Sequence, residues 1–378
     1  MTTTGFKQRL STRLAFLAAG TLMSAWAPLV PYAKARMGLD EAQLGLLLLC
    51  LGIGSLSAMP ITGMLASRFG CRRVILLSGA LTCLILPLLS LAPSPLLLAI
   101  SLFLFGAAIG TLDVAMNVQA VIVEKMEGRT LMSGFHAFFS VGGFVGAGSM
   151  ALLLWTGVST LISCVIIALV IALVLYIAAP HLLRTPNAAE RDGPLFVLPR
   201  GAVILIGLLC FIVFLAEGAI LDWSAILLTS GGLATDHGGL GYAAFAVAMT
   251  IGRLTGDRIV HRWGGRLVLF FGGLCAALGF FTTVLNISPI ITLIGFVLIG
   301  IGASNIVPVL FTAAGRQHDM SPSLAISAVT TIGYAGILAG PALIGFVAQL
   351  SNLQFSFALL GGGLLVVMAS SKYVVRSS

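Results

Sequence analysis

Long apolar runs alternate along the chain with short breaks rich in charge, Pro or Gly. They fall at about 14–34, 43–66, 74–92, 95–119, 132–155, 158–179, 201–228, 239–262, 267–286, 290–313, 324–348 and 354–371. A helix crossing the hydrocarbon core of a bilayer needs about 20 mostly apolar residues, so the pattern predicts twelve transmembrane helices in an all-α polytopic membrane protein. The one sizeable polar stretch begins at His181 and includes Arg184, Asn187, Glu190, Arg191 and Asp192. It predicts a six-helix bundle over 1–180, a linker over 181–200 and a second six-helix bundle over 201–378.

The two halves repeat. Adding 194 to a first-half number takes Arg68-Phe69-Gly70-Cys71-Arg72 onto Arg262-Trp263-Gly264-Gly265-Arg266, Gly79 onto Gly273, and Ser94-Pro95 onto Ser288-Pro289. The same offset takes Gly106 onto Gly300, and Gly142 and Gly146 onto Gly336 and Gly340. Chance matches between apolar runs would rarely keep one offset over several helices.

Composition agrees with the pattern, since 59% of the residues are hydrophobic and only 8% charged, against about 25% charged in a soluble domain. A water-soluble globule is excluded. If the N-terminus is cytoplasmic, every Lys and Arg except Lys34, Arg36 and Arg253 lies on the cytoplasmic side, so the positive-inside rule predicts that both termini are cytoplasmic. The net charge of +8 is then explained by topology and calls for no nucleic-acid partner. Ala25-Trp26-Ala27 has the small-x-small form of a signal-peptide cleavage site, but Pro28 follows at once and the first run is needed for the repeat. The six Cys are scattered without CxxC spacing and read as packing residues, with no metal site.

A six-plus-six repeat joined by a cytoplasmic linker is a common transporter plan, and here the chain resembles the major facilitator superfamily. Gly63-Met64-Leu65-Ala66-Ser67-Arg68-Phe69-Gly70-Cys71-Arg72-Arg73 is similar to the superfamily's cytoplasmic motif of Gly-x-Leu-small-Asp-Arg-aromatic-Gly-Arg-basic. Ser67 replaces the motif's Asp and Cys71 its second Arg. The resemblance implies a gating role for Gly63, Arg68, Gly70, Arg72 and Arg73. In relatives the Asp latches the cytoplasmic gate, so the second-half loop, Gly252 to Arg258 with Asp257 beside Arg258, is expected to carry more of the gate charge.

A charge at the centre of a spanning helix costs about 2.5–3.5 kcal/mol on insertion scales, so each intramembrane polar residue is a functional candidate. Asp113 and Asn117 share one face of the fourth span at i,i+4. Gly110-Thr111-Leu112-Asp113-Val114-Ala115-Met116-Asn117 resembles the fucose/proton symporter family, whose fourth helix carries Gly-x-x-acid-x-Ala-x-Asn. The resemblance implies that Asp113 is the protonatable acid and Asn117 a substrate or packing contact. The family has Glu with Pro after the Asn, whereas this chain has Asp113 and Val118, and its first span lacks the family's acid, so fucose itself is not implied.

Glu217 is a second candidate acid, in the seventh span. Asp222 lies about 140° around the helix from it. Arg253 either pairs with Asp257 one turn on, or meets an anionic group or Glu217. His136 is expected at about the depth of Asp113, as a second proton-sensitive group or as a His bonded to water or backbone. Trp26, Asn117, Arg253, Asn305 and Tyr334 are candidate cavity residues, Tyr and Asn offering the donors and acceptors that a hydroxylated solute requires.

No Lys follows a Gly, so there is no Gly-x4-Gly-Lys-Ser/Thr loop to bind ATP. The leading expectation is a proton-coupled secondary transporter of the bacterial inner membrane, acting without a cofactor as a monomer on a small solute, sugar-like by the fourth-span resemblance. Efflux of amphipathic compounds is the alternative, and a sensor that does not transport is a third reading. An intramembrane hydrolase is disfavoured, since Gly302-Ala303-Ser304 has no following His in the spans and no HExxH exists.

Overall fold

The computed structural model describes residues 3–39, 41–184, 198–230, 240–285 and 288–375. Most of the linker, including Arg191, and Arg376 lie outside them. Among the described residues there is no strand, as expected for a chain that must satisfy its backbone polar groups within lipid. The helices are α1 (Thr3–Ala25), α2 (Val30–Met37), α3 (Glu41–Phe69), α4 (Cys71–Leu91), α5 (Pro95–Glu127), α6 (Met132–Trp155), α7 (Thr160–Ala178), α8 (Ala202–Ser230), α9 (Leu240–Leu285), α10 (Pro289–Ala303), α11 (Ile306–Arg316), α12 (Pro322–Leu350) and α13 (Leu353–Val374).

Among the described residues, ten helical stretches are long and apolar enough to cross a membrane. One is α9, 46 residues long, which turns at Gly264 (φ 77°) and so holds the eighth and ninth expected spans. The first expected span is not among the ten, because Lys7, Arg9 and Arg13 lie in the first half of α1. It is also broken: a 3-10 turn at Ala27–Leu29 separates α1 from α2. Pro28 has no N–H to donate, and its ring clashes with the carbonyl four residues back, so no α-helix runs through it undisturbed. The tenth span is broken as well, between α10 and α11 at Ser304 and Asn305.

The 194-residue repeat recurs in the backbone turns and helix caps. Gly70 and Gly264 turn the chain with φ 82°, ψ 145° and φ 77°, ψ 154°, left-handed conformations that cost little only in glycine. Ser94 caps α5 by accepting from Leu97 N–H, and Ser288 caps α10 by accepting from Ile291 N–H, both at 3.4 Å.

The chain divides into two compact units. One comprises Met1–Gly128, Phe138–Leu198 and Ser321–Ser327, the other Arg129–Ala137, Pro199–Met320 and Ala328–Ser378. In the first, a Cβ on Gly106 would stand 1.9 Å from the Leu51 carbonyl oxygen, and one on Gly142 2.3 Å from that of Leu17. In the second, Gly300 would meet the Phe245 oxygen at 2.4 Å and Gly336 the Phe211 oxygen at 2.3 Å. Leu51 and Leu17 map onto Phe245 and Phe211 by the same offset, so the glycines and their partners repeat together. Helices in lipid gain little from burying apolar surface and associate through such close backbone approach.

Local bonds hold the segment ends. Arg36, an exception to the positive-inside pattern, donates to the Leu89 carbonyl at 3.0 Å and to that of Ser90, capping the C-terminus of α4 where a cation offsets the helix dipole. At the start of the linker, Leu183 N–H donates to Gln119 Oε1 at 3.1 Å and Arg72 N–H donates to the Leu183 carbonyl at 2.9 Å. After the linker, Ala202 N–H donates to Asp319 Oδ2 at 2.7 Å.

Candidate functional site

In the first unit, Asp113 and Asn117 are both buried in α5, at 8% and 1% exposure. The Asn117 amide donates to the main-chain carbonyl of Asp113 at 2.9 Å, not to its carboxylate. This bond orients Asn117 within its own helix and leaves its Oδ1 buried without a hydrogen-bond donor among the described residues. Trp26, at the helix break, is also buried, and its Nε1 has no acceptor among the described residues. An unpaired buried donor or acceptor is costly, so these atoms suit a ligand that supplies the partner.

The second unit assembles more. Pro308 has no N–H, so the carbonyl of Ser304, four residues back, has no helical donor. Arg253 Nε from α9 donates to that carbonyl at 3.3 Å. Its Nη2 stands 3.6 Å from Glu217 Oε1 on α8. Asn305, with φ −109° and ψ 1° at the break, donates through Nδ2 to the Gly252 carbonyl at 3.1 Å and to Ser304 Oγ at 3.0 Å. Glycines make this approach possible: a Cβ on Gly252 would lie 2.4 Å from Ser304 Oγ, and one on Gly256 1.8 Å from Asn305 Oδ1. Of the contacts expected of Arg253, the one with Glu217 is present, at 3.6 Å.

His136 belongs to this unit, its ring edge-on to Phe311 at 5.7 Å between centroids. Tyr334 is half-buried and packs edge-on against Phe214 at 5.9 Å. Asp222 is exposed, whereas Glu217 is half-buried. The tenth expected span, one run over 290–313 in the sequence, is broken at Ser304 and Asn305 in the structure. Ser304, Gly252 and Gly256 carry the site geometry and were not singled out for it; Pro308 four residues after Ser304, and glycines at 252 and 256 flanking Arg253, are the signals that point to them.

At the gating motif, Asp257 Oδ1 accepts from Gly134 N–H at 3.0 Å, and Thr130 Oγ1 donates to the Asp257 carbonyl at 2.8 Å. Gly134 lies in the first turn of α6, where N–H groups lack helical partners and favour an anion. Ser67, where the motif has Asp, turns back to the Met64 carbonyl of its own helix at 2.9 Å. Near Gly63 the contact is uncharged: Ser327 Oγ donates to the carbonyls of Met59 and, at 3.1 Å, Pro60. Arg68 lies over the Phe69 ring, 5.7 Å from its centroid, and Arg68, Arg73 and Arg258 are exposed while Arg72 is half-buried.

The model of the Major Facilitator Superfamily matches residues 14–321. The chain belongs to the major facilitator superfamily. An uncharacterised MFS-type transporter of Yersinia pestis is 56% identical over 98% of this chain and 97% of its own length. The membrane protein MosC of Rhizobium meliloti is 32% identical over 94% of this chain and 87% of its own. Among solved structures, the fucose:proton symporter FucP of E. coli covers 98% of both chains with a TM-score of 0.81 at 16% identity. The proton:xylose symporter XylE aligns over 98% of this chain and 96% of its own with a TM-score of 0.77 at 15% identity. At that distance these two likenesses show the MFS fold. This is therefore a multi-pass membrane protein with the fold of MFS carriers, a family that is generally not enzymatic.

Proposed function

We propose that the chain is a proton-coupled secondary transporter of the bacterial inner membrane. In this reading both termini are cytoplasmic and six-helix bundles over 1–180 and 201–378, joined by the linker 181–200, move a small sugar-like solute by alternating access as a monomer. The observation that carries it is the buried carboxylate of Asp113 in α5, beside Asn117, whose Oδ1 lacks a donor. A carboxylate in the membrane interior is expensive when charged, so proton occupancy of Asp113 controls whether the carrier can reorient.

One proton moving across 100 mV supplies about 2.3 kcal/mol, enough for roughly 50-fold accumulation of a neutral solute. Asn117 Oδ1 and Trp26 Nε1 provide an acceptor and a donor for a hydroxylated ligand, with Tyr334 a further candidate. The names of the similar structures, a fucose and a xylose symporter of protons, favour the same solute class. Asp257 on the N-terminus of α6 holds the gate, Glu217 and Arg253 form a second charged pair, and His136 of the same unit is a further proton-coupling candidate.

Asp113→Asn mimics the protonated acid. It abolishes gradient-driven accumulation in energised vesicles while leaving solute exchange near the wild-type rate. Wild-type accumulation by this variant would move the coupling role to Glu217.

A further inference from the structure

The contact between Glu217 and Arg253 is built unlike an ion pair that serves packing alone. Charge-assisted N–H···O bonds close to about 2.7–2.9 Å, yet Nη2 and Oε1 stand 3.6 Å apart, and Oε1 has no hydrogen bond among the described residues. The guanidinium does not rely on Glu217 for its orientation. Its Nε is fixed to the carbonyl that Pro308 leaves without a helical donor, a backbone anchor on the broken tenth span. The carboxylate side of the pair is also the more open, with 20% of the Glu217 side chain exposed against 9% for Arg253. A preoriented, mostly buried cation thus faces a loosely held anion whose side chain is one-fifth exposed.

We infer that Arg253 binds the carboxylate of an anionic substrate, which takes the place of Glu217 on the guanidinium when Glu217 is protonated. The inference rests on the transport reading above and narrows its solute to a small polyhydroxy monocarboxylate, a sugar acid. Charge balance requires the proton. With Glu217 charged, the pair is neutral; an added carboxylate would leave a net negative charge in the membrane interior, which is strongly disfavoured. A proton taken from solvent onto Glu217 restores neutrality, so anion and proton enter together. One guanidinium balances a monocarboxylate and leaves the second charge of a dianion uncompensated.

Among the described residues, His136 on α6 lies within electrostatic reach of Arg253, Cys210 on α8 within reach of Glu217, and Tyr242 on α9 within reach of both. Asp257, on the α9 turn after Arg253, has an oxygen engaged at Gly134 N–H.

Purified full-length protein in nanodiscs, titrated calorimetrically with gluconate and with glucose, tests the assignment. Gluconate is expected to bind at least about tenfold tighter at about pH 5.5 than at about pH 8, and tighter than glucose at the lower pH. Glu217→Gln, a mimic of the protonated acid, binds gluconate at both pH values with the affinity that wild type reaches only at the lower one. Arg253→Gln loses roughly a hundredfold in gluconate affinity. Because that variant also removes the donor to Ser304 and can fail to fold, Arg253→Lys is measured beside it. Lysine keeps the charge but cannot serve the carbonyl and an anion in the same planar geometry, and a folded Arg253→Lys protein binds gluconate about tenfold more weakly.

Gluconate affinity in Glu217→Gln no better than in wild type at the higher pH overturns the inference. So does unchanged gluconate binding in Arg253→Lys, or glucose binding as tight as gluconate. Proton-driven uptake of a neutral sugar that survives Arg253→Lys likewise removes the anion site while leaving the transport reading intact. Gluconate binding with the expected variant pattern but no uptake in proteoliposomes sustains the anion site and removes the transport reading.

Discussion

At the scale of single residues, the second unit turns on one missing hydrogen. Because Pro308 cannot donate, the Ser304 carbonyl is left for Arg253, and the helix opens at Asn305, whose amide closes back on Gly252. Pro308→Ala returns an N–H worth about 1 kcal/mol to the tenth span and takes the carbonyl away from Arg253. The gain in helix bonding and the loss of the arginine anchor nearly cancel in stability. The melting temperature should therefore stay within about 4 °C of wild type, while the transport rate falls about tenfold or more because the guanidinium loses its orientation. Transport at the wild-type rate would show that the break is dispensable. The polar residues of this site were legible in the sequence, since Glu217 and Arg253 are conspicuous in apolar surroundings. Their partners were not, because Ser304 contributes a backbone atom and Gly252 and Gly256 contribute only the absence of a side chain. The same limit applies to Asn117, whose amide is bonded to its own helix's backbone instead of the carboxylate one turn away.

At the scale of elements, hydropathy located the spans because lipid demands about 20 apolar residues of each. It could not show where a span breaks, because that depends on a backbone donor and not on polarity. Both broken spans have a proline at the break or just beyond it, Pro28 in the turn after α1 and Pro308 in α11. The offset of 194 carried more information than either signal, since it pairs contacts as well as residues. Gly106 on the Leu51 carbonyl and Gly300 on that of Phe245 are one packing solution used twice, in α3 with α5 and in α9 with α10. Gly106→Ala and Gly300→Ala should thus destabilise by similar amounts, about 1–3 kcal/mol each, because in both the obstacle is a backbone oxygen that no rotamer change can move aside. Thermal melts of the two variants check this. A loss confined to one of them would mean that the repeated contact is structurally unequal in the two units.

At the scale of the whole molecule, composition and the superfamily match agree on a multi-pass carrier, and sidedness is the property that the charge pattern predicts most directly. Most Lys and Arg fall in the breaks assigned to the cytoplasm, and of the exceptions Arg36 is engaged with the carbonyls at the end of α4 and Arg253 with Ser304. Neither needs bulk water on the cytoplasmic side to be accounted for, so these two exceptions do not weaken the orientation rule. Single cysteines in a background lacking the six native ones provide the measurement. Arg73, exposed at the start of α4, and Ser159, exposed as the cap of α7, lie at ends assigned to opposite sides of the membrane. Arg73→Cys should react with a membrane-impermeant maleimide only after the cells are opened, and Ser159→Cys should react in intact spheroplasts. The reverse pattern would place the basic loops outside, and with them the Asp257 contact at the start of α6, so that the bond proposed as the cytoplasmic gate would instead close the periplasmic face.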